Sequence, residues 1–449
     1  TRPFIPMKTQ SGEVVLYATR ECAEQLRAKH RMSIRIVSRE RFDDLYCVTV
    51  VGSLPDGRTE EAQGIVEIHN LKGQALANAL MKAECLPLDS DILTREGWKT
   101  YNQVVIGEEV LAYDMGNDCC QWTPVLQVNT YDSLPMVAIH SEGDQFTVRC
   151  TPEHTWAVQR SIPYVPDMRG GGSRGPRGPY VSRGPLRALI PTNELKSTHR
   201  LILAAATQDT EASLLEPIEA ALLGWAVTDG TIKRVGNSVC IGVCQSKSQN
   251  FEAIREVVFA VAPEVTERVG LATQRIFPSG KTSECLPQHW WYLPAKISRA
   301  LLQKAGFTTS ADLPKIVTRL DHAARQAMLH AMMLADADQR GTFAKKDRHK
   351  MDAFQILCAL EGYATGQEHQ RPAVIAQRLK KTKHVAVKFL VCEPVEPSPA
   401  WCPTTAYGTW VMRQNGRVMI TGNSKAKRRA TLALCGLGIA FLDEALGHD

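Results

Sequence analysis

Three residues in this sequence, Cys85, Asn423 and Ser424, have side chains of the types that can rearrange peptide bonds and stand at two breaks in a helical pattern. A thiol at Cys85 attacks the carbonyl of Glu84 and turns that amide into a thioester. A hydroxyl at Ser424 then takes over the acyl group. The carboxamide of Asn423 cyclises onto its own carbonyl and cuts the bond after itself. An oxygen-to-nitrogen acyl shift leaves a Glu84–Ser424 peptide. Each is an ordinary nucleophile role that divides one hard reaction into easier steps. The steps become unimolecular only if one scaffold brings the three groups together.

The flanking sequence shows why these positions belong together. A helical pattern starts near Gln74 and stops at Cys85-Leu-Pro, where proline cannot continue a helix. A second helical pattern begins at Ser424 and runs to about Leu434. When residues 85–423 are deleted on paper, Ala79 and Ala83 continue as Ala426, Ala430 and Leu434, every fourth residue of one stripe. Lys82, Lys425, Arg428 and Arg429 then fall together as a basic face. The competing reading is two unrelated helices on either side of a long domain.

The elements that must position the chemistry are mostly strands. Before the first junction, Glu13–Thr19, Ile34–Ser38 and Leu45–Val51 read as strands and Arg20–His30 as a helix, with Pro55-Asp56-Gly57 as a turn. After Cys85, short strands at Asp91–Thr94, Glu96–Gly97 and Glu109–Tyr113 predict an all-β unit to about Gln159. Residues 168–186 are a Gly/Pro/Arg-rich linker. Helical and strand patterns alternate from Glu211 to about Lys383. Strands resume over His384–Cys392, Gly408–Val411 and Val418–Thr421.

Apolar residues make up 44% of the chain and charged residues 22%, an ordinary globular balance with several cores; the net charge of +6 permits nucleic-acid contact without requiring it. The 13 cysteines follow no repeating spacing. Cys240 and Cys244 sit in an alternating, strand-like stretch and read as core thiols rather than zinc ligands. No signal peptide or membrane span is evident, so a cytoplasmic chain without membrane contact is expected.

Four stretches together resemble the intein (Hint) family of protein-splicing domains. They are Cys85-Leu-Pro-Leu-Asp-Ser-Asp-Ile-Leu-Thr-Arg-Glu-Gly-Trp98, Thr151-Pro-Glu-His154, Trp401-Cys-Pro-Thr-Thr405 with Gly408-Thr-Trp-Val411, and Val418-Met-Ile-Thr-Gly-Asn423 before Ser424. The resemblance implies an all-β Hint horseshoe and autocatalytic splicing without a cofactor. Cys85 is then the first nucleophile and Ser424 the second. His154 protonates or polarises the first scissile amide, a task suited to imidazole. Thr151 hydrogen-bonds nearby, and Cys402 assists acyl transfer. Two positions depart from the family: Gly422 and Gly408 stand where histidines usually help Asn423 cyclise.

Leu222-Leu-Gly-Trp-Ala-Val-Thr-Asp-Gly230 and Met332-Met-Leu-Ala-Asp-Ala-Asp-Gln339 resemble the two motifs of LAGLIDADG (DOD-type) homing endonucleases. That family pairs two helices through small residues. The resemblance implies an α+β endonuclease acting on double-stranded DNA, with Asp229 and Asp338 as its catalytic carboxylates and magnesium ligands. Asp336 is the alternative in the second motif. Mg²⁺ suits carboxylate oxygens and activates water for phosphodiester hydrolysis. Gln339 replaces the usual glycine, a departure that bears on activity.

Leu71–Glu84 joined to Ser424–Gly438, together with Leu16–Cys22, resembles RecT-type phage recombinases. The resemblance implies a host that anneals single-stranded DNA as a homo-oligomer, with Lys425, Arg428 and Arg429 on the DNA backbone. The expected order is therefore an α+β host segment (1–84), the first Hint part (85–158), a basic linker with an associated strand region (159–210), the endonuclease (211–383), the second Hint part (384–423) and the host's end (424–449). The alternatives are a site-specific DNA endonuclease that does not splice, and Hedgehog-like autoprocessing with an external nucleophile.

Overall fold

The computed structural model describes residues 4–8, 14–18, 33–42, 45–53, 59–67, 85–141, 146–160, 186–209, 211–236, 238–271, 273–276, 280, 282–371, 374–380 and 382–422. Before Cys85 it gives backbone strands: a hairpin of Phe4–Lys8 with Val14–Ala18, and a meander of Ser33–Phe42, Leu45–Ser53 and Thr59–Glu67. The strands expected at 13–19, 34–38 and 45–51 are present. The helices expected at 20–30, 74–84 and 424–434, and nearly all of the linker at 168–186, lie outside the described residues. So do Asn423, Ser424, Lys425, Arg428 and Arg429.

The protein is multidomain and built mostly of antiparallel sheets with few helices. Its β part draws strands from both sides of the long insertion. The first side supplies β1 (Leu86–Pro87), β2 (Ser90–Thr94), β3 (Gly97–Lys99), β4 (Glu109–Asp114), β5 (Cys119–Pro124), β6 (Gln127–Ser141), β7 (Thr147–Cys150), β8 (Thr155–Arg160), β9 (Leu186–Pro191) and β10 (His199–Ile202). The second side supplies β11 (His384–Ala386), β12 (Leu390–Thr404), β13 (Thr409–Gln414) and β14 (Arg417–Gly422). They interleave in three sheets: β5-β4-β2-β13-β14 with β3 on β2, β7-β6-β12-β1, and β9-β8-β10-β11.

Local sequence explains the pattern. The β13–β14 hairpin turns on Asn415 and Gly416, whose φ values of 49° and 73° suit a two-residue turn that few other residues tolerate. β6 and β12 pair along their whole lengths, with register shifts between Tyr131 and Leu134 and between Leu134 and Met136. Pro135 stands in that irregular stretch, where a missing N–H costs the ladder least. Trp156, Trp401 and Trp410 are fully buried and share a core with Leu86, Ile92 and Met412. Two expected strands differ. Glu96 is part of a turn, and β3 starts at Gly97 with φ 108°. The strand expected over 384–392 breaks at a 3-10 turn, Val387–Phe389.

The inserted module carries α1 (Pro217–Thr228) and α2 (His322–Asp336) side by side, with other helices over Phe251–Val261, Ala295–Ala305 and Arg348–Leu360. Pro217 suits the first helical position, and Glu216 and Glu219 form a capping box. Residues 220–228 of α1 are all buried, as expected of a helix apolar on every side. A Cβ on Gly224 would lie 2.9 Å from the Met328 carbonyl oxygen and 3.1 Å from Ala331 Cβ, so glycine sets how closely the helices approach. Cys240 and Cys244 share the strand Ser238–Gln245, where the Cys240 thiol donates to the Leu293 carbonyl at 3.5 Å. Among the described residues no helix is long and apolar enough to cross a membrane.

Candidate functional site

Cys85 is completely buried at the start of β1. Its backbone N–H, the nitrogen of the Glu84–Cys85 amide, donates to Thr151 Oγ1 at 3.1 Å. In return Thr151 donates to the Cys85 carbonyl, from its backbone N–H at 3.0 Å and from its hydroxyl at 3.3 Å. The two residues are thus locked reciprocally. The β1–β12 register pairs Pro87 with Ala400 and Leu86 with Trp401. Continued by one step it sets Cys402 beside Cys85, and the two share a buried cluster with Leu134, Met136 and Ala400.

The same loop also reaches the end of β14. Thr151 accepts the His154 backbone N–H at 3.0 Å. His154 is almost fully buried, its ring edge-on to Trp156 at 4.7 Å between centroids, and its Nε2 hydrogen-bonds the Thr421 hydroxyl. Thr155 packs on Gly422: a Cβ at that position would overlap Thr155 Oγ1 and lie 2.7 Å from the Thr155 carbonyl oxygen. Trp410 donates its indole N–H to the Gly422 carbonyl at 3.0 Å. The five-residue segment Thr151–Thr155 therefore touches both Cys85 and the last two residues before Asn423. Gly408 closes the turn into β13 with φ 72°, a conformation that glycine adopts more readily than any residue with a side chain.

Sequence reasoning placed Cys85, Thr151, His154 and Cys402 at this site, and the structure brings these four together. It missed Thr155, Thr421 and Trp410. All three lie inside or next to the quoted stretches. Their contacts depend on pairing between distant parts of the chain, which no local pattern carries.

At the foot of α1 and α2 the geometry differs from the expected pair. Asp229 ends α1, accepts from Gln245 Nε2 at 2.7 Å, and feels Asp336 more strongly than any other charge. Helix α2 stops at Asp336, and Ala337 is extended (φ −78°, ψ 145°). Asp338 is thereby swung into the following turn, where it accepts backbone N–H groups from Arg340 at 2.9 Å and Thr342 at 2.8 Å. Asp336, the alternative in the motif, takes the place that the sequence gave to Asp338. Lys345 pairs with Asp336 and donates to the Thr228 carbonyl at 3.0 Å, and Lys247 donates to the Ala335 carbonyl at 2.5 Å. Ammonium groups thus already neutralise this foot. Among the described residues no three Asp, Glu, His or Cys side chains gather for a metal. The donor set does not fit the magnesium site drawn from the motifs.

Burial, and then the Asp336 charge, raise the Asp229 carboxyl above the ordinary carboxylate range. The unfolded chain lacks that penalty. Below the ordinary range it vanishes; it grows as pH rises toward the raised folded value and stays above it. Asp229→Asn, made in a chain carrying Cys85→Ala and Asn423→Ala to prevent rearrangement at either end, is expected to melt at a higher temperature at neutral pH. The gain should shrink as pH falls to about 4. Circular dichroism melts at both pH values check this, and an unchanged neutral melt would show that Asp229 carries no such cost.

No family model and no curated protein matches the sequence. Among solved structures, a splice-inactive, glutathione-linked variant of the AceL NrdHF class 3 split intein is similar at 8% identity, covering 76% of this chain and 99% of that one with a TM-score of 0.26. At that TM-score the likeness decides nothing about this fold.

Proposed function

We propose that the chain is a protein-splicing precursor of the intein (Hint) kind, in which residues 85–423 excise themselves and Glu84 is joined to Ser424. One observation carries this reading: the loop Thr151–Thr155 holds Cys85 with one end and Thr421–Gly422 with the other. A fold that merely tolerated a long insertion has no need to seat both junctions on five residues. The Thr151 hydroxyl receives the N–H of the amide nitrogen that thiol attack sets free, which fixes the plane of the scissile peptide. His154, between Thr151 and Thr421, is the imidazole able to move a proton at either junction. Cys402 lies beside the first nucleophile and assists the acyl transfer.

The test is expression of the whole chain followed by intact mass spectrometry. Ligated host and free insert are expected. A chain that stays intact would favour a site-specific endonuclease without splicing, and cleavage without ligation a Hedgehog-like route.

For the module we propose a LAGLIDADG-type relative addressed to double-stranded DNA. The close α1–α2 approach at Gly224 supports that reading. Magnesium-dependent cleavage through Asp229 and Asp338 would need Asp338 to leave its turn and Lys345 to leave Asp336. For the host we propose a cytoplasmic, homo-oligomeric, RecT-like annealing protein that holds single-stranded DNA with Lys425, Arg428 and Arg429. The rejoined basic stripe supports this.

A further inference from the structure

We infer that Trp410 is a positioning residue for cyclisation of Asn423, and that with Thr155 it does the work of the histidines absent at Gly408 and Gly422. This rests on the splicing reading above. Trp410 is fully buried, and the β13–β14 register sets it opposite Thr421 and sets Thr409 opposite Gly422. Its indole N–H donates to the Gly422 carbonyl at 3.0 Å. That carbonyl is the acyl half of the next peptide bond, so the hydrogen bond fixes the plane of that peptide group.

The chemistry makes that plane matter. In cyclisation the Asn423 side-chain nitrogen bonds to the Asn423 carbonyl carbon, the bond from that carbon to the Ser424 nitrogen breaks, and the proton lost by the carboxamide ends on the Ser424 amine. A carboxamide is a weak nucleophile. Ring closure therefore depends on how often the side chain and its own carbonyl meet in the right geometry. A glycine just before Asn423 would leave the backbone loose there. Three contacts remove that freedom: the Trp410 indole on the Gly422 carbonyl, Thr155 against the Gly422 Cα, and Thr421 on His154. Trp401, tilted against Trp410 with ring centroids 5.2 Å apart, holds the indole in place. A phenylalanine at 410 would fill the same space without the N–H.

The experiment compares wild type with Trp410→Phe in the full chain, by quenched time courses and mass spectrometry. Release of residues 1–84 by added dithiothreitol reports the Cys85 thioester, and appearance of succinimide-ended insert reports the Asn423 step. Thioester release at the wild-type rate is expected, with cleavage after Asn423 slowed about tenfold, the size of one lost hydrogen bond expressed fully in the rate. The branched ester should accumulate. The pH profile of the slowed step should keep its shape, because an indole does not titrate. Cleavage after Asn423 at the wild-type rate overturns the inference. Equal slowing at both junctions also overturns it, because the role would then be structural only. A wild-type chain that forms thioester but never cleaves after Asn423 overturns it too, whereas one that forms no thioester overturns the splicing reading itself.

Discussion

Cys85→Ala should leave neither ligated host nor branched intermediate, a loss of at least about a thousandfold in splicing because the first nucleophile is gone. The fold should survive. The thiol is small, and truncating it in a packed cluster costs on the order of 1 kcal/mol. The Cys85 backbone, which makes the hydrogen bonds to Thr151, is unchanged by the substitution. Cleavage after Asn423 is then the one reaction left, because it draws on Trp410, Thr155 and Thr421 rather than on the thiol. Intact mass spectrometry of the purified variant should show full-length chain and the product cut after Asn423, with no dithiothreitol-induced release of residues 1–84. Ligated product from this variant would remove Cys85 from the mechanism. Cys402→Ala should differ in degree: Cys402 adjoins the nucleophile within the same cluster but is not attacked, so it should slow acyl transfer without abolishing thioester formation.

The four residues that the structure brings together, Cys85, Thr151, His154 and Cys402, were legible because the proposed chemistry needs particular residue types beside the positions to be cut. A thiol, a carboxamide and a hydroxyl at two distant breaks in a helical pattern are rare without a shared reason. The strands beside the junctions were legible too, since their alternation is local: Asp91–Thr94 falls within β2 and Val418–Thr421 within β14. The contacts that couple the junctions were not. Thr421 acquires its role only when β14 packs near β8, so that its hydroxyl meets His154 from 267 positions away. Trp410 reads as a core aromatic in sequence, and only the hairpin register turns its indole toward Gly422. At the helix feet, sequence alone counted along the motif to Asp338. Where α2 actually ends decides which carboxylate faces Asp229, and the extended Ala337 selects Asp336. Lys345, beyond the motif, completes that foot with an ammonium that no periodicity announces.

Placing at 422 the histidine that inteins usually carry should inactivate this protein rather than improve it. Gly422→His is expected to slow cleavage after Asn423 at least about a hundredfold, the scale expected when reacting groups are displaced by about 1 Å. The first atom of any side chain at 422 meets Thr155, overlapping its hydroxyl and lying 2.7 Å from its carbonyl oxygen. Thr155 → Ala does not make room, because that carbonyl belongs to a backbone held in the sheet, where Thr155 pairs with Pro191. The strand end must therefore move, and with it the Gly422 carbonyl that Trp410 holds. Overpacking of this kind costs roughly 1–3 kcal/mol in a closed core. Gly422→Ala, which carries the clash without an imidazole, separates sterics from chemistry. Both variants should keep thioester formation at Cys85, measured by dithiothreitol release, and both should lose cleavage after Asn423. A Gly422→His chain that cleaves as fast as wild type would mean that Thr155 yields to a side chain at 422, and that the tight seat of Gly422 has no part in positioning Asn423.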